Sequence, residues 1–303
     1  MSIMKTLICI IGLVAEPRFI WPNLKKHVVG VLGADVCMAT ARGHLPSDEF
    51  DLKYAFEYDE EYGDLHGAYD FMRECENGKE WRDLKVIGDN WLRPLGNIEE
   101  GTGGITLFYK WFLWKNLKEH NLLNEYDQFV ITRGDYLHVA DIIQPVKDRI
   151  LIPGYEFHGG MCDRMAIVPQ EYISQFLRLG TSIVLEPEKL LETYNKQGWP
   201  HIRIRKGWNG ETFTCIMVMN AGLGNKTSFY KPTMFTASTN PPPGRFHHTM
   251  YCGIHKCYLR YRNEYRCVMD NIKNGDCNFI YINYNINWSY IDPESNQVVG
   301  KIS

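Results

Sequence analysis

The run Tyr126-Asp127-Gln128-Phe129-Val130-Ile131-Thr132-Arg133-Gly134-Asp135-Tyr136 decides how this chain is read. Gln128 to Thr132 is a compact, β-rich strand, and Arg133-Gly134-Asp135-Tyr136 turns out of it. The turn sets a guanidinium and a carboxylate just past the carboxyl end of a buried strand, where open α/β sheets bind their ligands. Asp135 in that place can ligate Mn²⁺ or Mg²⁺, hard cations that take one or two carboxylates together with ligand phosphates. Arg133 can pair with a diphosphate or with neighbouring carboxylates. The same residues also suit a turn Asp that caps the next element, beside an Arg in a surface ion pair.

Working outward, Leu7 to Val14 is a continuous apolar run with the character of a strand buried on both faces. Trp21 to Leu32 has helical spacing, with Leu24, Val28, Val31 and Leu32 on one side and Gly33 as its stop. Asp35 to Thr40 and Leu52 to Tyr58 read as further strands, so the chain opens as a βαβ unit of a parallel sheet. Residues 63 to 103 read as loop and short helix, and Ile105 to His120 as a strong helix. Strands follow at Arg149–Ile152 and Met165–Val168, then a helix through Tyr172, Phe176 and Leu179, a short helix Glu188–Asn195, and an edge strand His201–Arg205. Around Gly207 the composition shifts to Asn, Tyr, Gly and Pro, with Pro241-Pro242-Pro243-Gly244 as a breaker and apparent strands at Phe213–Met219 and Phe279–Tyr284. The organisation expected is a domain over 1–206 and a β-containing extension over 207–303, packed on it and contributing to the acceptor site.

A second chemical stretch is Gly154-Tyr155-Glu156-Phe157-His158-Gly159-Gly160-Met161-Cys162-Asp163-Arg164-Met165-Ala166-Ile167. Its glycines let the backbone approach a ligand, and Asp163 stands before a buried strand, where a carboxylate can deprotonate an incoming hydroxyl. Glu156 and His158 are the reserve candidates. A Gly-rich hairpin with a structural Asp163–Arg164 salt bridge is the other reading; with alternation along an extended chain, Arg164 is expected to point away from Asp163.

Together, the Tyr-Asp-x-x-Val-x-x-Arg-x-Asp strand and the later Gly-x-x-Asp-Arg-Met-Ala-Ile segment resemble nucleotide-sugar glycosyltransferases of the GT-A fold, in particular the divergent group of large DNA viruses of algae and of some bacteria and plants. The first strand, Arg18, the following amphipathic helix and the helix entered by Phe108-Tyr109-Lys110 fit the same resemblance, which covers about residues 5–205. It implies a Rossmann-like α/β fold, mixed and mostly parallel, flanked by helices. It also implies transfer of a sugar from a nucleoside diphosphate donor, a UDP-sugar being favoured, to a hydroxyl of a glycan or glycoprotein acceptor. The donor would lie near Gly12, Glu16, Arg18 and Thr40, with Lys110 and Arg133 balancing its charge, and with Mn²⁺ or Mg²⁺ on Asp135. The family's metal motif is Asp-x-Asp, and here its first position is Arg133. A catalytically silent carbohydrate-binding protein on the same fold is the alternative.

Composition excludes other classes. The chain has 303 residues, 45% hydrophobic and 23% charged, as in ordinary globular proteins. Its 33 Lys plus Arg stand against 36 Asp plus Glu, so no global field draws in nucleic acid or a membrane surface. No apolar stretch is long enough to span a bilayer, and the short run after Lys5 lacks a cleavage site, so neither a membrane span nor a signal peptide is expected; the expected location is the cytoplasm, that of a host if the protein is viral. Nine cysteines without regular spacing agree with reduced thiols. His247, His248, Cys252, His255, Cys257, Cys267 and Cys277 are zinc-ligand types without a Cys-x-x-Cys anchor. No phosphate-cradling Gly-rich motif or nucleophile elbow occurs.

Overall fold

A computed structural model describes residues 4–14, 16–46, 50–59, 65–88, 92, 103–154, 160–197, 207–241, 250–275, 280–281, 288–291 and 298–302. Its strands in chain order are β1 (Thr6–Ile11), β2 (Asp35–Ala41), β3 (Tyr54–Tyr58), β4 (Gln128–Arg133), β5 (Tyr136–His138), β6 (Ile150–Pro153) and β7 (Ala166–Pro169). β8 (Thr227–Tyr230), β9 (Met234–Ser238), β10 (Met250–Cys252), β11 (Cys257–Leu259), β12 (Ile280–Tyr281), β13 (Trp288–Ile291) and β14 (Val298–Ile302) follow.

The main sheet runs β12-β8-β6-β7-β4-β1-β2-β3. β3, β2, β1 and β4 are mutually parallel. β7 opposes both its neighbours, which returns β6 and β8 to the common direction, and β12 opposes β8. This is the mixed, mostly parallel sheet flanked by helices that the sequence predicts. Every side chain of β1 is buried, because both faces are covered. Cys9, Ile11, Phe129 and Ile131 face a core built around the helix Gly103–Glu119. Their neighbours Ile8, Ile10 and Val130 face a second core with Leu24 and Val28 of the segment Pro17–Leu32. That segment is helical throughout, with a π turn over Lys25–Val29, and Gly33 ends it in the left-handed region at φ +58°.

A smaller sheet, β10-β11-β9-β5, stands at the carboxyl end of β4. β5 follows Asp135 directly and pairs antiparallel with β9. Residues beyond 207 therefore supply β8 to the main sheet and β9 to the strand that leaves the Arg133–Asp135 turn.

Two local expectations are corrected. Phe213–Met219 is not a strand; it lies in the helix Gly210–Asn220. The run Phe-Thr-Cys-Ile-Met-Val-Met is buried from Phe213 to Met217 and on to Val218, so it shows no polar face that would betray a helical period. The start signal is Asn209, whose side chain accepts from the Thr212 backbone N–H at 2.7 Å. Within 63–103, expected as loop and short helix, Leu65–Glu76 forms three turns of helix. It buries Ala68, Tyr69 and Met72 against the core, while Gly67 and Asp70 on the same turns disguise the pattern. The expected edge strand 201–205 lies outside the described residues.

Candidate functional site

The site forms where the carboxyl ends of β1 and β4 meet the small sheet. Gly12 leaves β1 at φ +77°, its N–H donating to Ala39 O at 2.9 Å. The chain then runs under Gly134, where a Cβ would come within 2.4 Å of Val14 Cγ2 and 2.8 Å of Leu13 O. Only glycine lets the Arg133–Asp135 turn lie on the first loop.

Arg133 grips Asp135 with both ends of its fork: Nε donates to Oδ1 at 3.0 Å and a terminal nitrogen to Oδ2 at 2.5 Å. Arg260 reaches the same Oδ2 at 3.8 Å from beyond β11. Burial alone would raise the Asp135 pKa, but the guanidiniums of Arg133, Arg260 and Arg164 outweigh it and hold the carboxyl below its ordinary range. Asp135 is thus an ionised carboxylate committed to guanidinium. Both of its oxygens are engaged, and among the described residues no three His, Cys, Asp or Glu side chains gather to hold a metal ion. This donor set does not fit a hard divalent cation, which seeks free carboxylate oxygens.

Asp163 occupies a different environment. It lies 4% exposed beneath the helix Gly210–Asn220, and a Cβ on Gly210 would meet its Oδ2 at 2.6 Å. Gly160 lies as tightly on the same helix start: its Cβ would fall 2.0 Å from Glu211 O, and the next residue, Met161, donates its N–H to that oxygen at 3.0 Å. Burial first, then the charge of Glu211, push the Asp163 carboxyl up to about 7, against the opposing pull of Lys110 and Arg133. Lys110, on Gly103–Glu119, is itself buried, with Nζ 5.3 Å from the centre of the Phe176 ring. Burial lowers its ammonium, while Asp163 and Cys162 work the other way.

Arg164 does not turn away from Asp163. The chain bends at these two residues instead of extending, so strand alternation does not apply, and Arg164 Nε lies 3.8 Å from Asp163 Oδ1. Its guanidinium rests over the rings of Tyr136 and Tyr261, 5.6 and 5.5 Å from their centres, and donates to Thr236 Oγ1 at 3.3 Å.

The other expected residues are more dispersed. Thr40 is fully buried near the end of β2, its hydroxyl without a hydrogen-bond partner among the described residues. Glu16 accepts from Ser238 Oγ at 2.9 Å and from the Thr239 N–H at 2.6 Å, so it ties the first loop to β9. Arg18 is exposed on the helix after it. Glu156 and His158 lie outside the described residues. The structure therefore joins Lys110, Arg133, Asp135 and Asp163 in one charged network and leaves the Thr40 hydroxyl apart from it.

Sequence reasoning missed Glu211, Arg260 and Glu264. Each lies in 207–303, where the sequence resembles nothing that assigns roles, and ordinary charged residues there bear no local mark. Of the zinc-type residues, Cys252, His255 and Cys257 share the β10–β11 hairpin, with Cys252 directly opposite Cys257.

No helix among the described residues is long and apolar enough to cross a membrane. No known protein-family profile matches the chain, and no curated protein matches its sequence. Among solved structures, it is similar to the apo form of mouse xyloside xylosyltransferase 1, at 10% identity and a TM-score of 0.36, over 76% of this chain and 84% of that one.

Proposed function

We propose that the protein is a glycosyltransferase that takes a nucleotide-sugar donor, a UDP-sugar being favoured, and transfers the sugar to a glycan or glycoprotein hydroxyl. One observation supports this above the rest: a network of Lys110, Arg133, Arg164 and Arg260, interleaved with Asp135 and Asp163, stands at the carboxyl ends of β1 and β4. In open α/β sheets that edge is the ligand crevice, and a leaving diphosphate needs fixed cations. The sequence resemblance to GT-A enzymes points the same way, and membership in the algal-virus group and a cytoplasmic location belong to this proposal.

In this reading the acceptor oxygen bonds to the anomeric carbon as the bond from that carbon to the diphosphate oxygen breaks. The acceptor proton passes to Asp163, whose pKa near 7 suits a group that must both take and return a proton. Arg133 and Arg260, at the rim, meet the departing diphosphate. A single displacement inverts the anomeric centre. A divalent cation enters only if Arg133 releases Asp135, so no step is assigned to it.

The test is incubation of the purified protein with a panel of UDP- and GDP-sugars and simple glycosides, with Mn²⁺, with Mg²⁺ and with excess chelator. Sugar transfer or donor hydrolysis supports the enzyme. Activity that survives the chelator assigns the diphosphate to the arginines, and activity lost with it returns a cation to Asp135. Donor binding without turnover identifies a silent carbohydrate-binding protein, and no binding of any donor overturns the proposal.

A further inference from the structure

Glu264 is an acidic side chain that the proposed chemistry does not use, yet it is only 3% exposed. It stands on the helix Arg262–Lys273 and accepts from the Thr236 backbone N–H at 2.9 Å and from Thr236 Oγ1 at 3.5 Å. That hydroxyl is the one to which Arg164 donates at 3.3 Å. An isolated carboxylate is costly to bury, and a stable arrangement needs a nearby cation and hydrogen bonds that satisfy its oxygens. Arg164 is the cation, and Thr236 is the shared hinge between the two.

The chain of contacts continues toward the rim. Asp135, the carboxylate that Arg133 grips, leads directly into β5, whose first residue Tyr136 stands opposite Thr236 of β9. β9 adds two further ties: the Ala237 N–H donates to Asp135 O at 3.1 Å, and the Arg260 N–H to Thr236 O at 3.2 Å. The rings of Tyr136 and Tyr261 bound the Arg164 guanidinium without fixing its rotation, because a ring face offers no directional acceptor. Thr236 supplies a directional contact, and through it Glu264 is joined to the guanidinium.

We infer that Glu264 is a positioning residue that acts through Thr236 and Arg164 to set the arginine–carboxylate rim, so that β9 and the helix Arg262–Lys273 complete the donor site. This inference rests on the glycosyltransferase reading given above. It assigns no contact between Glu264 and the donor.

The test uses UDP and GDP as probes, titrated into the full chain by calorimetry, with thermal melting of every variant alongside. Glu264→Gln keeps an acceptor for the Thr236 N–H and removes the charge. It should keep a cooperative melt and weaken diphosphate binding by about tenfold, the scale of one charge-assisted contact. Arg164→Gln should weaken it as much, and the double variant no more than either single one, because both changes break the same chain. Should Glu264→Gln fail to fold, Thr236→Val removes only the shared hydroxyl and should weaken binding about threefold, with the Thr236 N–H bond intact. Wild-type affinity in a folded Glu264→Gln or Thr236→Val variant, or additive losses in the double variant, would overturn the inference and leave the function standing. A wild-type protein that binds neither UDP nor GDP overturns the function and the inference with it.

Discussion

The rim and the floor of the site hold one aspartate each, and the two are opposites. Asp135 at the rim has 19% of its side chain exposed and a bidentate arginine, with two more guanidiniums close by. It stays ionised below the ordinary carboxylate range. Asp163 on the floor is buried under a helix start, faces the like charge of Glu211, and reaches about 7. In the proposed reaction the same side chain is a fixed anion in one place and a proton-exchanging group in the other. Environment separates the roles, as it does wherever paired carboxylates divide acid–base work.

The sharpest way to break this comparison is to remove the floor carboxylate. Asp163→Asn should lower turnover of the donor that the screen identifies by about 10²- to 10⁴-fold, with UDP affinity retained. Near-full turnover would make Asp163 a structural anchor for the helix Gly210–Asn220 and move the proton to another group.

The close approaches beneath each aspartate come next. Gly160→Ala drives a Cβ into the backbone of Glu211 on the floor, and Gly134→Ala drives one into Val14 and Leu13 at the rim. Both should destabilise the protein by roughly 1–3 kcal/mol in urea titrations, since backbone cannot yield as a flexible side chain can. If Gly134→Ala costs nothing, the turn is not packed on the first loop as described.

Stability against pH separates the two environments by sign. Asp163 binds its proton more tightly folded than unfolded, so its contribution is full below the unfolded value of about 3.9 and is lost as pH rises from there toward about 7. Asp135 does the reverse: its contribution is present above about 3.9 and is lost as pH falls below that value. Asp163→Asn should therefore flatten the decline in stability between pH 4 and 7, by at most about 1.4 kcal/mol per pH unit. Urea midpoints at several pH values, compared with wild type, read this directly. An unchanged slope would mean that the floor aspartate titrates as an ordinary carboxylate.

The smallest effect belongs to Arg18, exposed on the helix that follows the first loop. If the donor extends over the first loop, Arg18→Ala should weaken UDP binding about two- to fivefold, as one solvent-screened contact does. Unchanged affinity would confine the diphosphate to the rim arginines.

The sequence alone determined much of the frame. The apolar run around Leu7–Ile11, the helix stopped by Gly33 and the strand Gln128–Arg133 are written in local pattern, because a strand buried on both faces must be apolar throughout and a helix end at positive φ favours glycine. Local pattern also placed Arg133, Asp135 and Asp163 at strand ends. It could not report their partners. The Arg133–Asp135 pair closes over two residues and was open to reading as an ion pair, but the pull of Glu211 on Asp163 and the reach of Glu264 through Thr236 to Arg164 join positions far apart in the chain. The helix at Gly210–Asn220 escaped for a related reason: burial on all sides erases the polar face from which a period is read, and only Asn209 marked its start. The sequence set Arg133 and Asp135 past the carboxyl end of a strand, and the antiparallel course of β7 brought Asp163 to the same edge. The tertiary structure decided their ionisation and their partners, because desolvation and charge depend on neighbours that only folding brings within a few ångströms.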